Sequence, residues 1–155
     1  MMKYTFAFIF FLSSFVCAQS DNVNVLPEGL SEKTYSITIT VKNIRNKKGV
    51  LRFKFYDDST PFPHEMGFLK EVIPKTAVTG DSLRITFHGF PSRRMAIALL
   101  DDENDNVKLD IGWILPVEGH AFSDYYHKSL RRPVYEDFSF YLTGDRIVVM
   151  PMRYY

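Results

Sequence analysis

The sequence is short of cysteine, of charge of one sign and of long apolar runs, and each shortage excludes something. Its 155 residues include one cysteine, Cys17, so no disulfide can close within the chain and stability has to come from packing. Lys and Arg number 19 against 18 Asp and Glu. A nucleic-acid binder shows a basic excess, so this balance excludes that class. Apart from one stretch near the start, no apolar run approaches the ~18 residues of a membrane-spanning helix. The four histidines, His64, His88, His120 and His127, form no H-x-x-x-H pair and have no thiol beside them, so a zinc-ligand spacing is missing. There is no G-x-S-x-G, and Ser123 near His120 therefore lacks a nucleophile context. No segment shows convincing helical periodicity.

The one long apolar stretch is Tyr4 to Val16, broken by Thr5, Ser13 and Ser14 and preceded by Lys3. Val16-Cys17-Ala18 then offers small residues for a signal peptidase. Residues 1–18 are expected to be a secretory signal peptide cleaved after Ala18, which sends the chain across the inner membrane to the periplasm or the exterior. An N-terminal membrane anchor would want a positive stop after the run, and none follows. Lipidation at Cys17 would want Leu three places before it and a small residue just before it; Ser14 and Val16 stand there instead. Removing Lys3 with the peptide leaves 18 basic residues against 18 acidic ones, a net charge of zero. Residues 19–33 are polar, with Pro27 and Gly29 and no periodicity, and read as a flexible leader.

Residues 34–155 read as a β-domain. Thr34 to Lys42 and Val50 to Asp57 alternate apolar and polar side chains, with Tyr35, Ile37, Ile39 and Val41 on one face and Leu51, Phe53 and Phe55 on another. The short turn between them predicts an antiparallel hairpin. Pro61 and Pro63 bar a central strand, and Phe62 is expected to plug one end of the core. A short irregular strand is predicted around Val72 to Val78, then Ser82 to His88 with Leu83, Ile85 and Phe87 inward and His88 solvated. Arg94 to Leu100 is almost continuously apolar, which suits a strand covered on both faces or capped by a loop. Tyr135 to Thr143, with Phe138, Phe140 and Leu142 inward, and Arg146 to Arg153 close the list; Pro151 puts the last strand at an edge. About seven short strands with turns between them predict an all-β, immunoglobulin-like or transthyretin-like antiparallel β-sandwich with one long loop.

That loop runs from Asp101 to Pro133. A loop of this length in a compact domain is uncommon and usually functional. Trp113, Ile114, Leu115, Phe122, Tyr125 and Tyr126 argue that it folds back over a sheet face. At its head Asp102, Asn104 and Asn106 alternate, with Asp110 beyond. Calcium takes about six to eight oxygens, and such a turn can supply several. An EF-hand also needs Gly at the sixth place and Glu at the twelfth, where Val107 and Trp113 stand. The alternative is that these side chains bond nearby amides and fix successive turns.

Four marks carry a family resemblance: Val41 to Gly49 leading to Phe55-Tyr56-Asp57; Phe87-His88-Gly89-Phe90-Pro91; Asp102-Glu103-Asn104 to Lys108-Leu109-Asp110 with Pro116 to Gly119 and Phe122-Ser123; and Pro133 to Asp137 with Phe140. With these the chain resembles the secreted bacterial domain-of-unknown-function family 2141. The resemblance implies a single β-sandwich behind a signal peptide and brings no known activity. The family pattern has Gly where this chain has Asp105 and Val107, a departure from the tight turns that would wrap an ion. The segment Ile111 to Leu115 is also one residue shorter than usual.

The expectation is a secreted, non-enzymatic binding or structural domain, with Trp113, Tyr125, Tyr126 and His127 as contacts for a protein, peptide or glycan. Two alternatives stand beside it. One is a domain stabilised by calcium at Asp102, Asn104, Asn106 and Asp110. The other is a periplasmic enzyme using Asp102, Glu118 and Asp124 with His120.

Overall fold

A computed structural model describes residues 32–64, 66–112, 116–129 and 131–155. The expected signal peptide at 1–18, the leader up to residue 31, and Trp113 lie outside the described residues. The elements run β1 (Thr34–Lys42), β2 (Val50–Asp57), β3 (Leu69–Pro74), a 3-10 turn (Lys75–Ala77), β4 (Leu83–Pro91), β5 (Arg93–Asp102), β6 (Gly119–Phe122), the single helical turn α1 (Tyr135–Phe138), β7 (Phe140–Leu142) and β8 (Arg146–Pro151). Among the described residues the eight strands form two sheets, in the orders β4-β1-β8 and β3-β2-β5-β6, with β7 also pairing β5. The fold is an all-β sandwich.

Strict alternation explains the core. Ile37, Ile39 and Val41 of β1 meet Leu51, Phe53 and Phe55 of β2 and Met95, Ile97 and Leu99 of β5 in one buried cluster. Burial of each such side chain contributes about 1.5–3 kcal/mol. Edge-on rings lock the sheets together: Phe87 of β4 lies 5.7 Å from Phe53 and 5.2 Å from Phe55 of the facing sheet.

Several expectations are corrected. β1 and β2 do not form a hairpin. They belong to different sheets, because the turn between them crosses the sandwich, with Ile44 buried and its N–H donating to Asp81 O at 2.9 Å. The antiparallel rule has one exception: β1 pairs β8 in parallel, Ile37 opposite Arg146. These strands meet only after the chain has travelled through the other sheet, so no tight turn dictates their direction. The strand expected around Val72 to Val78 starts earlier and stops at Pro74, beyond which Lys75–Ala77 make a 3-10 turn. The start of the Tyr135 to Thr143 strand is the helical turn α1.

β5 is apolar on both faces because both are covered. Its outer side chain Ala96 packs with Tyr56, Phe122, Tyr135 and Phe138 in a second cluster, against which Phe62, Ala98 and Tyr125 rest. The long loop does fold back over the sheet, and it adds β6 to the β5 edge at Ala98 to Asp101. Where β5 passes from β6 to β7, Ser123 fills the gap. Its N–H donates to Ile97 O, and its hydroxyl accepts from Ile97 N–H at 3.0 Å and donates to Phe138 O at 2.6 Å.

Candidate functional site

β5 ends in two adjacent aspartates, which the period of a strand points to opposite faces. Asp101 faces the core side. Its Oδ1 accepts from Lys75 Nζ at 2.5 Å and its Oδ2 from the Tyr154 hydroxyl at 2.6 Å. The side chains of Lys75 and Asp101 are both fully buried. Breaking such a pair on one side only leaves a buried charge uncompensated. Lys75 Nζ also donates to Asn46 Oδ1 at 3.1 Å. Burial, and then the bond to Asp101, raise Tyr154 above the ordinary phenol range.

Asp102 faces the outer side and is the hub of the loop head. Its Oδ2 accepts from Arg52 Nε at 2.5 Å and Val107 N–H at 2.9 Å, and its Oδ1 from Asn106 N–H at 3.0 Å. Burial pushes this carboxyl up. Arg52 and the two amides outweigh burial and hold it below the usual carboxylate value. Asn104 Oδ1 accepts from Asn106 N–H and Asn106 Oδ1 from Lys108 N–H, two successive turns closed by side chains. This fixes both amide groups, so that Asn104 Nδ2 and Asn106 Nδ2 donate to Asp110 at 2.6 and 2.9 Å. The four candidate metal residues are therefore brought together, but around N–H groups. Asp110 faces two amide nitrogens, and an incoming cation would have to displace the bonds that shape the turn.

Glu118 closes the frame from the far side of the loop. Its carboxylate accepts from Glu103 N–H at 3.0 Å and Asp110 N–H at 3.1 Å. Burial raises its pKa against the pull of those amides. Arg45 donates to Glu103 Oε1 at 2.5 Å and to Val117 O at 3.0 Å, and holds Glu103 low. The base of the loop is thus tied at both ends. Its outer stretch carries aliphatic side chains into solvent: Val107 and Ile111 are each 66% exposed, and Leu109 and Val117 are exposed too.

The predicted contact residues separate. Tyr126 is exposed, and with Tyr125, Asp124, Val149 and Pro151 it lines a shallow hollow of about 270 Å³. Tyr125 is half-buried against the second cluster, and His127 is buried. His127 Nε2 lies 2.7 Å from Arg131 O, a pure acceptor, so Nε2 carries the proton and the Tyr125 hydroxyl donates to Nδ1 at 3.1 Å. Tyr125 and His127 consequently hold down the later part of the long loop.

Of the residues of the enzyme alternative, Asp102 and Glu118 are near enough for the charge of Asp102 to raise Glu118. Asp102 and Glu118 serve amides as above, Asp124 Oδ1 accepts from Val149 N–H at 2.8 Å, and among the described residues Glu118 and His120 share no hydrogen bond. The His120 ring stacks on Tyr155 at 5.7 Å. Burial, then the Arg153 charge, lower its pKa to about 4.

Sequence reasoning missed Arg45, Asn46, Arg52, Lys75 and Tyr154. Arg52 could have been found as the outward cation of a strand opposite β5. Lys75 and Tyr154 give no local signal. Among the described residues no group of three or more His, Cys, Asp or Glu is placed to hold a metal ion, and no helix is long and apolar enough to cross a membrane.

A family model described as an uncharacterised protein conserved in bacteria matches residues 39–149. No curated protein and no solved structure matches the chain.

Proposed function

The chain belongs to the DUF2141 family of uncharacterised bacterial proteins, and on that premise we propose that it is a secreted, non-enzymatic binding domain of the periplasm or cell surface. The signal-peptide pattern of residues 1–18 supports the address. One observation carries the binding role. Val107, Leu109, Ile111 and Val117 project into solvent from a loop whose base is fixed by Asp102, Glu118, Arg45 and Arg52. Apolar side chains held out on a rigid support cost little ordering entropy when a partner covers them. Of a protein, a peptide or a glycan, their aliphatic character favours a protein or peptide with apolar anchors.

The test is a displayed random-peptide library selected on the immobilised domain from residue 19 onwards. Peptides rich in apolar residues should emerge. They should lose at least about tenfold in affinity, ~1.4 kcal/mol, for the Leu109→Ser/Ile111→Ser variant at unchanged melting temperature. Selected peptides that bind both forms equally would sink the reading.

A further inference from the structure

We propose that the buried Lys75 side chain forms an intramolecular amide with the side chain of Asn46, Asp101 serving as the proton acceptor. Three features of the geometry distinguish this corner from an ordinary ion pair. First, Lys75 Nζ has two neighbours of different chemistry: Asp101 Oδ1 at 2.5 Å, a base, and Asn46 Oδ1 at 3.1 Å, which is one C–O bond from an electrophilic carbon. Second, the carboxamide is held in a defined plane. Its oxygen also accepts from Lys48 N–H at 2.9 Å, and its nitrogen donates to Glu103 Oε1 at 2.9 Å. Third, the Lys75 and Asp101 side chains are fully buried. At the half-buried Asn46 the amine held beside the carboxamide is the positioned nucleophile.

Each neighbour has a part in the chemistry. Asp101 takes one proton from the Lys75 ammonium, and the nitrogen lone pair attacks Asn46 Cγ. The C=O electron pair moves onto Oδ1, where the Lys48 amide is already aimed, the position in which a fixed N–H stabilises developing negative charge. Nζ and Nδ2 are then bonded to one carbon, which brings Nδ2 next to the nitrogen that Asp101 holds. The proton passes from Asp101 to Nδ2 as the Cγ–Nδ2 bond breaks, and a second proton leaves Nζ with the departing nitrogen. The sum is one ammonium and one carboxamide converted into one secondary amide and one ammonium ion. No oxidant or cofactor is needed. Asp101 ends as a carboxylate facing the new amide N–H on one oxygen and the Tyr154 hydroxyl on the other. Holding the reacting groups in place supplies the rate that the same pair lacks in solution. Lys75 is itself held by its turn, with its N–H donating to Gly49 O at 3.4 Å and its carbonyl accepting from Val78 N–H at 3.1 Å.

The bond would join the turn after β1 to the turn after β3, in a chain that cannot make a disulfide within itself. The experiment is mass spectrometry of the expressed full chain under denaturing conditions, with tandem sequencing of its tryptic peptides. The expected mass is one ammonia below that required by the sequence from the observed N-terminus, with a branched peptide joining the fragments that contain Asn46 and Lys75. Asp101→Asn and Lys75→Arg should each restore the full mass. A full mass in the wild-type chain overturns the proposal whether or not the variants fold. Loss of ammonia with no branched peptide, which is a succinimide at Asn46, overturns it as well. So does loss of water with Lys75 joined to Asp101.

Discussion

Val107 is the residue most at odds with its backbone. It sits at φ +70 and Asp105 at φ +57, the left-handed region that suits glycine; the family resemblance leads one to expect glycine at both. The turn is kept without it because Val107 N–H must reach Asp102. A left-handed L-residue costs roughly 1–2 kcal/mol, and glycine gives back roughly 0.5–1 of that in chain entropy. Val107→Gly should therefore raise the unfolding free energy by about 1 kcal/mol in urea denaturation; an unchanged or lower value would mean that the valine side chain has a partner. Asp105→Gly should gain less, because it also gives up Arg52. His120 carries the clearest pH signature. Burial first, then the charge of Arg153 facing it, brings its pKa down to about 4, against an ordinary value of about 6.5. The folded state binds this proton less readily than the unfolded state. Its contribution is therefore complete above the unfolded value and is lost as pH falls from there towards the folded one. That amounts to about 2 kcal/mol between pH 6.5 and 5. His120→Gln should flatten the fall in stability over that range, whatever it costs in stacking. Glu118, raised by burial, works in the opposite sense at the lower end of the window, and Asp102 and Glu103, held low, lose their share only as pH falls through and below the carboxylate range.

Elements were legible where a strand is long enough to alternate and is bounded by turn residues. β1 and β2 start and stop where the pattern does, at Thr34–Lys42 and Val50–Asp57. Their pairing was not legible, because a short link permits a hairpin without requiring one; here Gly49, at φ +71, brings the link so close to the end of β5 that a Cβ would lie 2.0 Å from Asp102 O. β6 escaped notice for the opposite reason. Four residues, Gly119 to Phe122, are too few to show a period, and only the edge of β5 makes them a strand. The loop head was half legible. Asp102, Asn104 and Asn106 at alternate positions spell out successive side-chain-closed turns, whereas the bonded series Asn46, Lys75, Asp101 and Tyr154 joins residues up to 53 positions apart in a bond, beyond any local pattern. Pro151 marked β8 as an edge strand, and the structure shows how that edge is blunted. Asp124 donates its N–H to Val149 O and accepts Val149 N–H on Oδ1, Arg146 pairs with its other oxygen, and Pro151 has no N–H to offer. A strand edge satisfied in this way is a poor template for another chain.

At the scale of the whole sandwich, residues 152–155 tie the two sheets together. β8 ends at Pro151, and Met152 to Tyr155 then cross to the other sheet. Met152 is buried, Arg153 exchanges both backbone bonds with His120 of β6 at 3.0 and 2.9 Å, and Tyr154 reaches Asp101. β6 is shaped for this: a Cβ at Gly119 would lie 2.2 Å from the Tyr154 ring. Arg45 lies over that ring, 4.6 Å from its centre, so the tail also touches the loop frame. Tyr154→Phe removes one hydroxyl and leaves a buried carboxylate oxygen short of a donor, a loss of about 1–3 kcal/mol. The variant should stay folded and unfold earlier in urea. Deleting residues 152–155 adds the exposure of the core beneath Met152, about 1.5–3 kcal/mol, and frees the backbone of β6. These losses together approach the ~5–15 kcal/mol that holds a small domain, so the deletion variant should show no cooperative urea transition by circular dichroism. A deletion variant that unfolds like the full chain would mean that the sandwich closes without its tail. A Tyr154→Phe variant as stable as the wild type would mean that Lys75 alone satisfies Asp101.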